Sequence, residues 1–258
     1  MEEALRKGQA AGRDAILDHL RIRPGMRILD LACGPGTLTI PMAKQLLGQG
    51  EVVGVDLAAG MLEAAWTAAG GRNLPLRFLR MDIENLHFPP ATFDGACCGH
   101  GLHFMPNLGR TLREAHRVLK PKGRFAASIP SADGSDANPA QVAFGAALDA
   151  RLGPSREWPE LEATRAILAD LDRLRGAALE AGFRFAETLR VATETTWDGA
   201  AHYVEVNANC LAHASRMEGM SDHVRQMVLA EAAGRLRETV GEGPFSAPAT
   251  AHVLKAEA

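Results

Sequence analysis

Cysteine is scarce in this chain of 258 residues, and Cys33, Cys97, Cys98 and Cys210 show no CxxC spacing. A zinc site is therefore not indicated, and the vicinal pair Cys97-Cys98 is a poor disulfide candidate, so the thiols read as reduced and the protein as cytoplasmic. Positive charge is not in excess either. The net charge of -3 leaves no broad cationic surface of the kind that drives sequence-independent phosphate binding, so nucleic acid is not expected as a partner. No uncharged apolar run approaches a membrane span. The opening MEEALRKGQAAGRDAILDHLRIRPG is interrupted by charge throughout and holds no signal-peptide core. Internal repeats and low-complexity tracts are absent, and GxxxxGK[ST] occurs nowhere, which removes the P-loop reading. With 47% hydrophobic and 23% charged residues, what remains is an ordinary globular chain.

What is present is an alternation of strand-like and helix-like segments between residues 26 and 128. MRILDLAC, EVVGVD, LRFLRMD, FDGACCG and GRFAASIP are short, apolar and partly β-branched. Between the last two, NLGRTLREAHRVLK sets Leu108, Leu112, Ala115 and Leu119 on one helical face, with His116 on the surface. Strand and helix at this pitch predict an α/β fold with a doubly wound, mainly parallel, Rossmann-like sheet. One domain is expected over residues 1–258. The rhythm breaks after about residue 131, where SADGSDANP reads as a loop. Helical segments then follow, and those at about 131–152 and 198–240 are expected as insertions capping the carboxyl edge of the sheet. ETLRVATET and ATAHVLKA predict late strands.

In an open parallel sheet, ligands bind beyond the carboxyl ends of the strands. That places the chemistry after Cys33, at Asp56, at Asp82 and near Gly99. In LDLACGPGTLT, Gly34 and Gly36 let backbone approach a ligand, but the third position of a dinucleotide fingerprint is Thr39 instead of glycine. Asp56 ends the second strand, where a carboxylate can accept from both hydroxyls of a ribose, and Asp82 ends the third, suited to an adenine amino group. An acid at a strand end also serves as a helix cap or turn former. The concurrence of all these features selects a nucleoside that ends in something other than pyrophosphate.

LDLACGPGTLT, VVGVDLAAGML, MDIENLHFPPATFD and LREAHRVLKPKGRF resemble, in order and spacing, the motifs of class I S-adenosylmethionine-dependent methyltransferases, in the branch typified by ubiquinone/menaquinone C-methyltransferases. The resemblance covers about residues 26–130. It implies seven strands with the last antiparallel, and a cofactor loop of Ala32, Cys33, Gly34 and Gly36 beneath the methionyl part, with Asp30 supporting the loop or the amino group. It further implies Asp56 on the ribose, Leu57 and Met61 flanking the adenine, Asp82 and Ile83 reading its edge, and the Gly99 backbone facing the methionyl amino group. Ala32 stands where the family usually has its first glycine, and Pro35 departs from the usual residue between the glycines.

The implied reaction is transfer of a methyl group from S-adenosylmethionine, leaving S-adenosylhomocysteine, to a small-molecule acceptor at oxygen, nitrogen or carbon. A non-methylating rearrangement and cofactor sensing use the same fold and stand as alternatives. His100 and His103 in GHGLHF are candidates for contact with the reacting group, because imidazole titrates near neutral pH. His103 also fits a role that only braces the loop. Phe144, Trp158, Trp197, His202, Tyr203 and His213 are candidates for an apolar acceptor pocket, set against ordinary core packing. No metal is expected, since no pair of carboxylates follows the fourth strand. The expected protein is a monomer or homodimer without membrane association.

Overall fold

The structure is a computed structural model that describes residues 10–71, 73–130, 138–154, 158–208, 213 and 215–258. Cys210 and most of the SADGSDANP loop lie outside the described residues. In chain order the elements are α1 (Ala10–Leu20), β1 (Arg27–Leu31), α2 (Thr39–Gln45), β2 (Glu51–Asp56), α3 (Ala59–Ala69), β3 (Leu76–Arg80) and β4 (Phe93–Gly99). There follow α4 (Leu108–Val118), β5 (Leu119–Pro130), α5 (Pro139–Leu152), α6 (Pro159–Leu168), α7 (Leu171–Glu180), β6 (Phe185–Trp197), α8 (Ala200–Asn207), α9 (Asp222–Val240) and β7 (Phe245–Glu257). Short 3-10 turns cover Leu102–Phe104 and Ser215–Met217.

The described strands form one seven-stranded sheet in the order β3-β2-β1-β4-β5-β7-β6. β1 pairs in parallel with β2 and β4, β2 with β3, and β4 with β5, while β7 runs antiparallel to β5. Strand order reverses on either side of β1, which makes the carboxyl ends of β1 and β4 the topological switch point. The alternation of β1 assigns its faces. Leu29 and Leu31 enter a core with Phe93, Phe125, Leu112 of α4 and Leu174 of α7. Ile28 enters a second one with Ile16 and Leu20 of α1 and Met42 of α2. A smaller cluster packs Leu62 and Ala65 of α3 on Phe78 and Cys33. Both faces are covered, as a parallel sheet requires.

The described residues form two compact units, one within 9–133, 160–191 and 250–258, the other within 134–159 and 192–249. The second has its own core, where Phe144 and Leu148 of α5 meet Trp197, Tyr203 of α8, and Val228 and Leu236 of α9. Its helices begin where their caps allow: Asn138 accepts from the amides of Ala140 and Gln141 ahead of Pro139, and Ser221 accepts from the Val224 amide. Among the described residues, the expected helical stretch 198–240 contains α8, the 3-10 turn at Ser215–Met217 and α9.

Two details differ from the sequence reading. α4 stops at Val118, and the strand after it starts at Leu119, so Pro121 and Gly123 lie within β5. His116, expected at the surface, is half-buried, edge-on to Phe183 at 5.2 Å. α4 is the clearest amphipathic segment, and its fully buried Leu112 should decide stability on this face. Leu112→Ala is expected to cost about 2–5 kcal/mol in urea unfolding, against within about 0.5 kcal/mol for exposed Arg113→Ala. Equal effects from both would contradict the assigned core face.

Candidate cofactor site

The glycine loop leaves β1 through residues in left-handed backbone. Ala32 has φ 51°, Gly34 53° and Gly36 82°. For Ala32 this conformation costs about 1–2 kcal/mol, a penalty that glycine avoids. The methyl of Ala32 also reaches the GHG segment, because a Cβ on Gly101 would lie 2.7 Å from it and 2.7 Å from Cys98 Sγ. Gly101 is therefore fixed by the side chain of Ala32. Nothing lies within 4 Å of where a Gly34 Cβ would stand, so the backbone there borders open space.

Asp56 ties the loop down. One carboxylate oxygen accepts from the Gly34 amide at 2.9 Å and the other from the Ala58 amide, also at 2.9 Å, just before α3. The carboxylate is thus both an anchor of the loop and a turn former, roles the sequence left open beside ribose binding. Leu57 projects into solvent and Met61 is half-buried on α3. Arg80 Nε donates to the Leu57 carbonyl at 3.0 Å, fixing the β2 exit. Asp82 accepts from the Glu84 amide at 2.8 Å in an exposed turn, whereas Ile83 turns into the core. Beyond it, Leu86 donates to Glu114, and the paired Arg117 reaches the carbonyls of Leu86 and Phe88, which locks this turn to α4.

Asp30 is buried on the opposite face of β1 from Leu29. It accepts from Thr39 Oγ1 at 2.5 Å and from Cys97 Sγ at 3.4 Å. Burial pushes its pKa up to about 6, against the lowering effect of those two donors. Thr39 therefore does more than depart from the dinucleotide pattern, since its hydroxyl satisfies a buried carboxylate. Cys33 turns its side chain inward, within 3.0 Å of where a Gly54 Cβ would be, and burial raises its pKa. The loop presents the backbone of Cys33, not its thiol.

Past β4, Gly99 approaches Leu38 so closely that a Cβ would meet its Cδ1 at 2.6 Å. His100 has φ 53° and is held twice by Ser128, whose carbonyl accepts its amide and whose hydroxyl lies 2.8 Å from Nδ1. No sequence signal marked Ser128. Burial lowers the pKa of His100 to about 3, with the neighbouring His103 adding to the shift. Burial likewise lowers His103 to about 4, and Arg165 adds to it. Its Nδ1 is buried without a protein hydrogen-bond partner among the described residues. Both rings are neutral near pH 7, so they act there as hydrogen-bonding groups and not as cations.

The pocket candidates lie in the second unit. Phe144, Trp197 and Tyr203 are buried in its core, with Phe144 edge-on to Tyr203 at 6.2 Å and Trp197 edge-on to Tyr203 at 4.8 Å. These rings form packed interior instead of an open wall. His202 pairs with Asp198 at 3.3 Å, and His213 packs on Phe144 at 4.9 Å. Trp158 stands ahead of α6, 38% exposed and outside this cluster.

A glycine loop after β1, carboxylates closing β1 and β2, and strand order reversing beside them define the class: this is the fold of the S-adenosylmethionine-dependent methyltransferases. Residues 28–123 match the family described as a methyltransferase domain. The demethylmenaquinone methyltransferase of Symbiobacterium thermophilum is 44% identical over 105 residues, covering 40% of this chain and 42% of that protein. The 2-phytyl-1,4-naphtoquinone methyltransferase of Synechococcus elongatus is 39% identical over 106 residues, 40% of this chain and 46% of its own. The chain thus matches less than half the length of these curated relatives. The YcgJ protein of Bacillus subtilis superposes with a TM-score of 0.61 over 95% of this chain and 97% of its own, at 18% identity, a likeness of fold.

The histidine pair makes a prediction about acid. Both rings bind a proton less readily in the folded chain than at their ordinary pKa of 6.5. Their contribution is therefore fully present above pH 6.5 and is lost as pH falls toward about 4. Asp30, raised from 3.8 to about 6, favours the folded state at the acid end of that window and partly offsets them. His100→Asn, which tolerates the left-handed backbone, should lose roughly 1–2 kcal/mol less than the parent between pH 7 and pH 5. Melting curves at the two pH values measure this, and identical losses would contradict a buried neutral ring.

Proposed function

We propose that the protein is a cytoplasmic S-adenosylmethionine-dependent methyltransferase acting on a small-molecule acceptor. The observation that carries this is the row of carboxylates at Asp30, Asp56 and Asp82, set around a glycine loop whose backbone borders open space. The donor and acceptor set fits the cofactor. A sulfonium and an ammonium suit a carboxylate-lined edge, and a ribose needs an acceptor with lone pairs to spare. Each Asp56 oxygen accepts one amide and keeps a lone pair. Free buried thiols at Cys33, Cys97 and Cys98 support a reducing compartment. No helix among the described residues is long and apolar enough to cross a membrane.

S-adenosylmethionine supplies, when bound, a methyl group already activated on sulfur, so the protein need only align and desolvate. Asp56 accepts from the ribose hydroxyls, Leu57 and Met61 flank the adenine, and Asp82 with the Ile83 backbone reads its edge. Ala32, Cys33, Gly34 and Gly36 present backbone to the methionyl part. Asp30 supports that loop from below through Thr39, and Gly99 bounds it on the β4 side. His100 and His103 face the acceptor as neutral groups. A ring with a pKa near 3 or 4 is a poor general base at neutral pH, so their part is to orient the acceptor and exclude water. Holding two reactants at attack distance supplies about 7–11 kcal/mol, which suffices for an acceptor that is already nucleophilic.

The quinones named for the relatives are not carried over to this chain, because the family match ends at residue 123, before the second unit begins. No metal takes part in this reading, and turnover is expected to survive EDTA. Loss on chelation that magnesium restores would refute that part of the proposal.

The test of the cofactor assignment is Asp56→Ala. Loss of charge-assisted bonds to the ribose should weaken S-adenosylhomocysteine binding by roughly 2–4 kcal/mol, about thirtyfold to a thousandfold. Because the carboxylate also holds the Gly34 and Ala58 amides, the apo protein should lose about 1–2 kcal/mol of stability as well. Calorimetric titration beside a denaturation curve separates the effects. Lowered stability with affinity within threefold of the parent would leave Asp56 as an anchor only. NAD and ATP should bind far more weakly than either form of the cofactor, since Thr39 fills the place of the third glycine.

A further inference from the structure

At the amino ends of the parallel strands, opposite the edge just described, the charge reverses. A cavity of about 470 Å³ opens there between the α1–β1 turn and the starts of β4 and β5, and Arg21, Arg23, Lys120, Lys122, Arg124 and Asp94 line it. Asp94 is committed, since Lys120 Nζ holds it at 2.7 Å and the Arg27 amide donates to its other oxygen at 2.8 Å. The side chains of Arg21, Arg23, Lys122 and Arg124 have no ion pair or hydrogen bond among the described residues. Glu257 stands opposite Arg124 in the β5–β7 ladder, but the two make no ion pair. Four cations without an ion pair among the described residues therefore share one concavity, in a protein whose net charge is -3.

Two further observations set this cluster apart from an ordinary solvated face. Arg21 has φ 47° and Lys122 φ 66°, left-handed backbone that strains any residue with a side chain. Glycine would relieve that strain at both positions, yet both carry long cations directed to the same concavity. The neighbouring His19 also registers the crowding: burial holds its pKa below the ordinary value, and the charges of Arg124, Lys255 and Arg21 push it the same way.

We propose that this cavity is an anion site for phosphate groups, supplied by a free diphosphate or by neighbouring phospholipid headgroups. Guanidinium and ammonium groups supply the donors that phosphate oxygens accept from, the planar fork of arginine pairing two oxygens at once. Four unpaired cationic side chains match the charge of a diphosphate, whereas a lone carboxylate would leave most of them repelling one another. Because the site lies at the strands' amino ends, it is separate from the carboxyl-end loop and does not depend on the methyltransferase reading.

Titration of the full chain with inorganic pyrophosphate, and cosedimentation with phosphatidylcholine vesicles with and without phosphatidylglycerol, test it. Arg21→Gly and Lys122→Gly remove charge while relieving backbone strain, so both variants should keep the parent's melting temperature and its affinity for S-adenosylhomocysteine. Each should weaken pyrophosphate binding about fivefold, and Arg23→Gln should do the same without touching strained backbone. Pyrophosphate binding without vesicle binding assigns a soluble source. Vesicle binding that requires phosphatidylglycerol and is lost in the variants assigns a headgroup. The proposal is overturned if pyrophosphate binds no more tightly than sulfate and vesicles do not bind, if the variants bind like the parent, or if only a short RNA binds.

Discussion

The Asp56 carboxylate, shared between the Gly34 and Ala58 amides, is the interaction on which the cofactor edge depends. Beyond the Cys33 amide, which donates to the Val55 carbonyl of β2, the left-handed loop is tied to β2 through this side chain, and no side chain caps α3 at Ala58 except this same group. One side chain therefore sets the height of the glycine turn and the entry of the next helix together. A carboxylate suits the position because each of its oxygens has more than one lone pair. Binding a ligand there adds partners to a group already oriented, so little ordering is left to oppose association.

A second constraint works from beneath. Asp30 is inside the protein and would cost far more if it stood alone, but Thr39 and Cys97 donate to it from α2 and β4. Its raised pKa shows that these donors do not fully compensate burial. A residual cost of that kind at a strand end beside an open loop is typical of functional positions, where the missing stabilisation comes with the ligand. The position of Thr39 follows from the same requirement. A glycine there would pack closely but leave Asp30 without its hydroxyl donor.

Much of this was legible in the sequence because it depends on local pattern. The alternation of short apolar runs with helical spacing located β1 through β5, and the acids Asp56 and Asp82 were marked by ending such runs. What escaped was set by tertiary contact. The Ser128 hydroxyl on His100 joins residues far apart in the chain, with nothing in either neighbourhood to announce it. Gly101 looks like any turn glycine until Ala32 is seen against it. Phe144, Trp197 and Tyr203 are aromatic in segments that read as helical or strand-like, a pattern identical for a pocket wall and a packed core, and only burial tells the two apart. The anchoring role of Asp56 was visible as one of two alternatives, and the fold uses the carboxylate for that role through the Gly34 and Ala58 amides.

The parallel sheet also separates charge. Because β1 through β5 all run the same way, residues that end strands gather on one edge and residues that begin them gather on the other. The ending edge carries Asp30, Asp56 and Asp82, and the beginning edge carries Arg21, Arg23, Lys122 and Arg124. The net charge near zero thus conceals a polarised molecule, and a composition-level argument against anionic partners averages over a difference that the topology creates. β1, from Arg27 to Leu31, spans about 16 Å at the usual rise per residue. That is about twice the screening length at physiological salt, roughly 8 Å, so charges exposed at one end act only weakly at the other. Each edge is then suited to ligands of the sign opposite to its own: cations and hydroxyl donors where the strands end, phosphates where they begin.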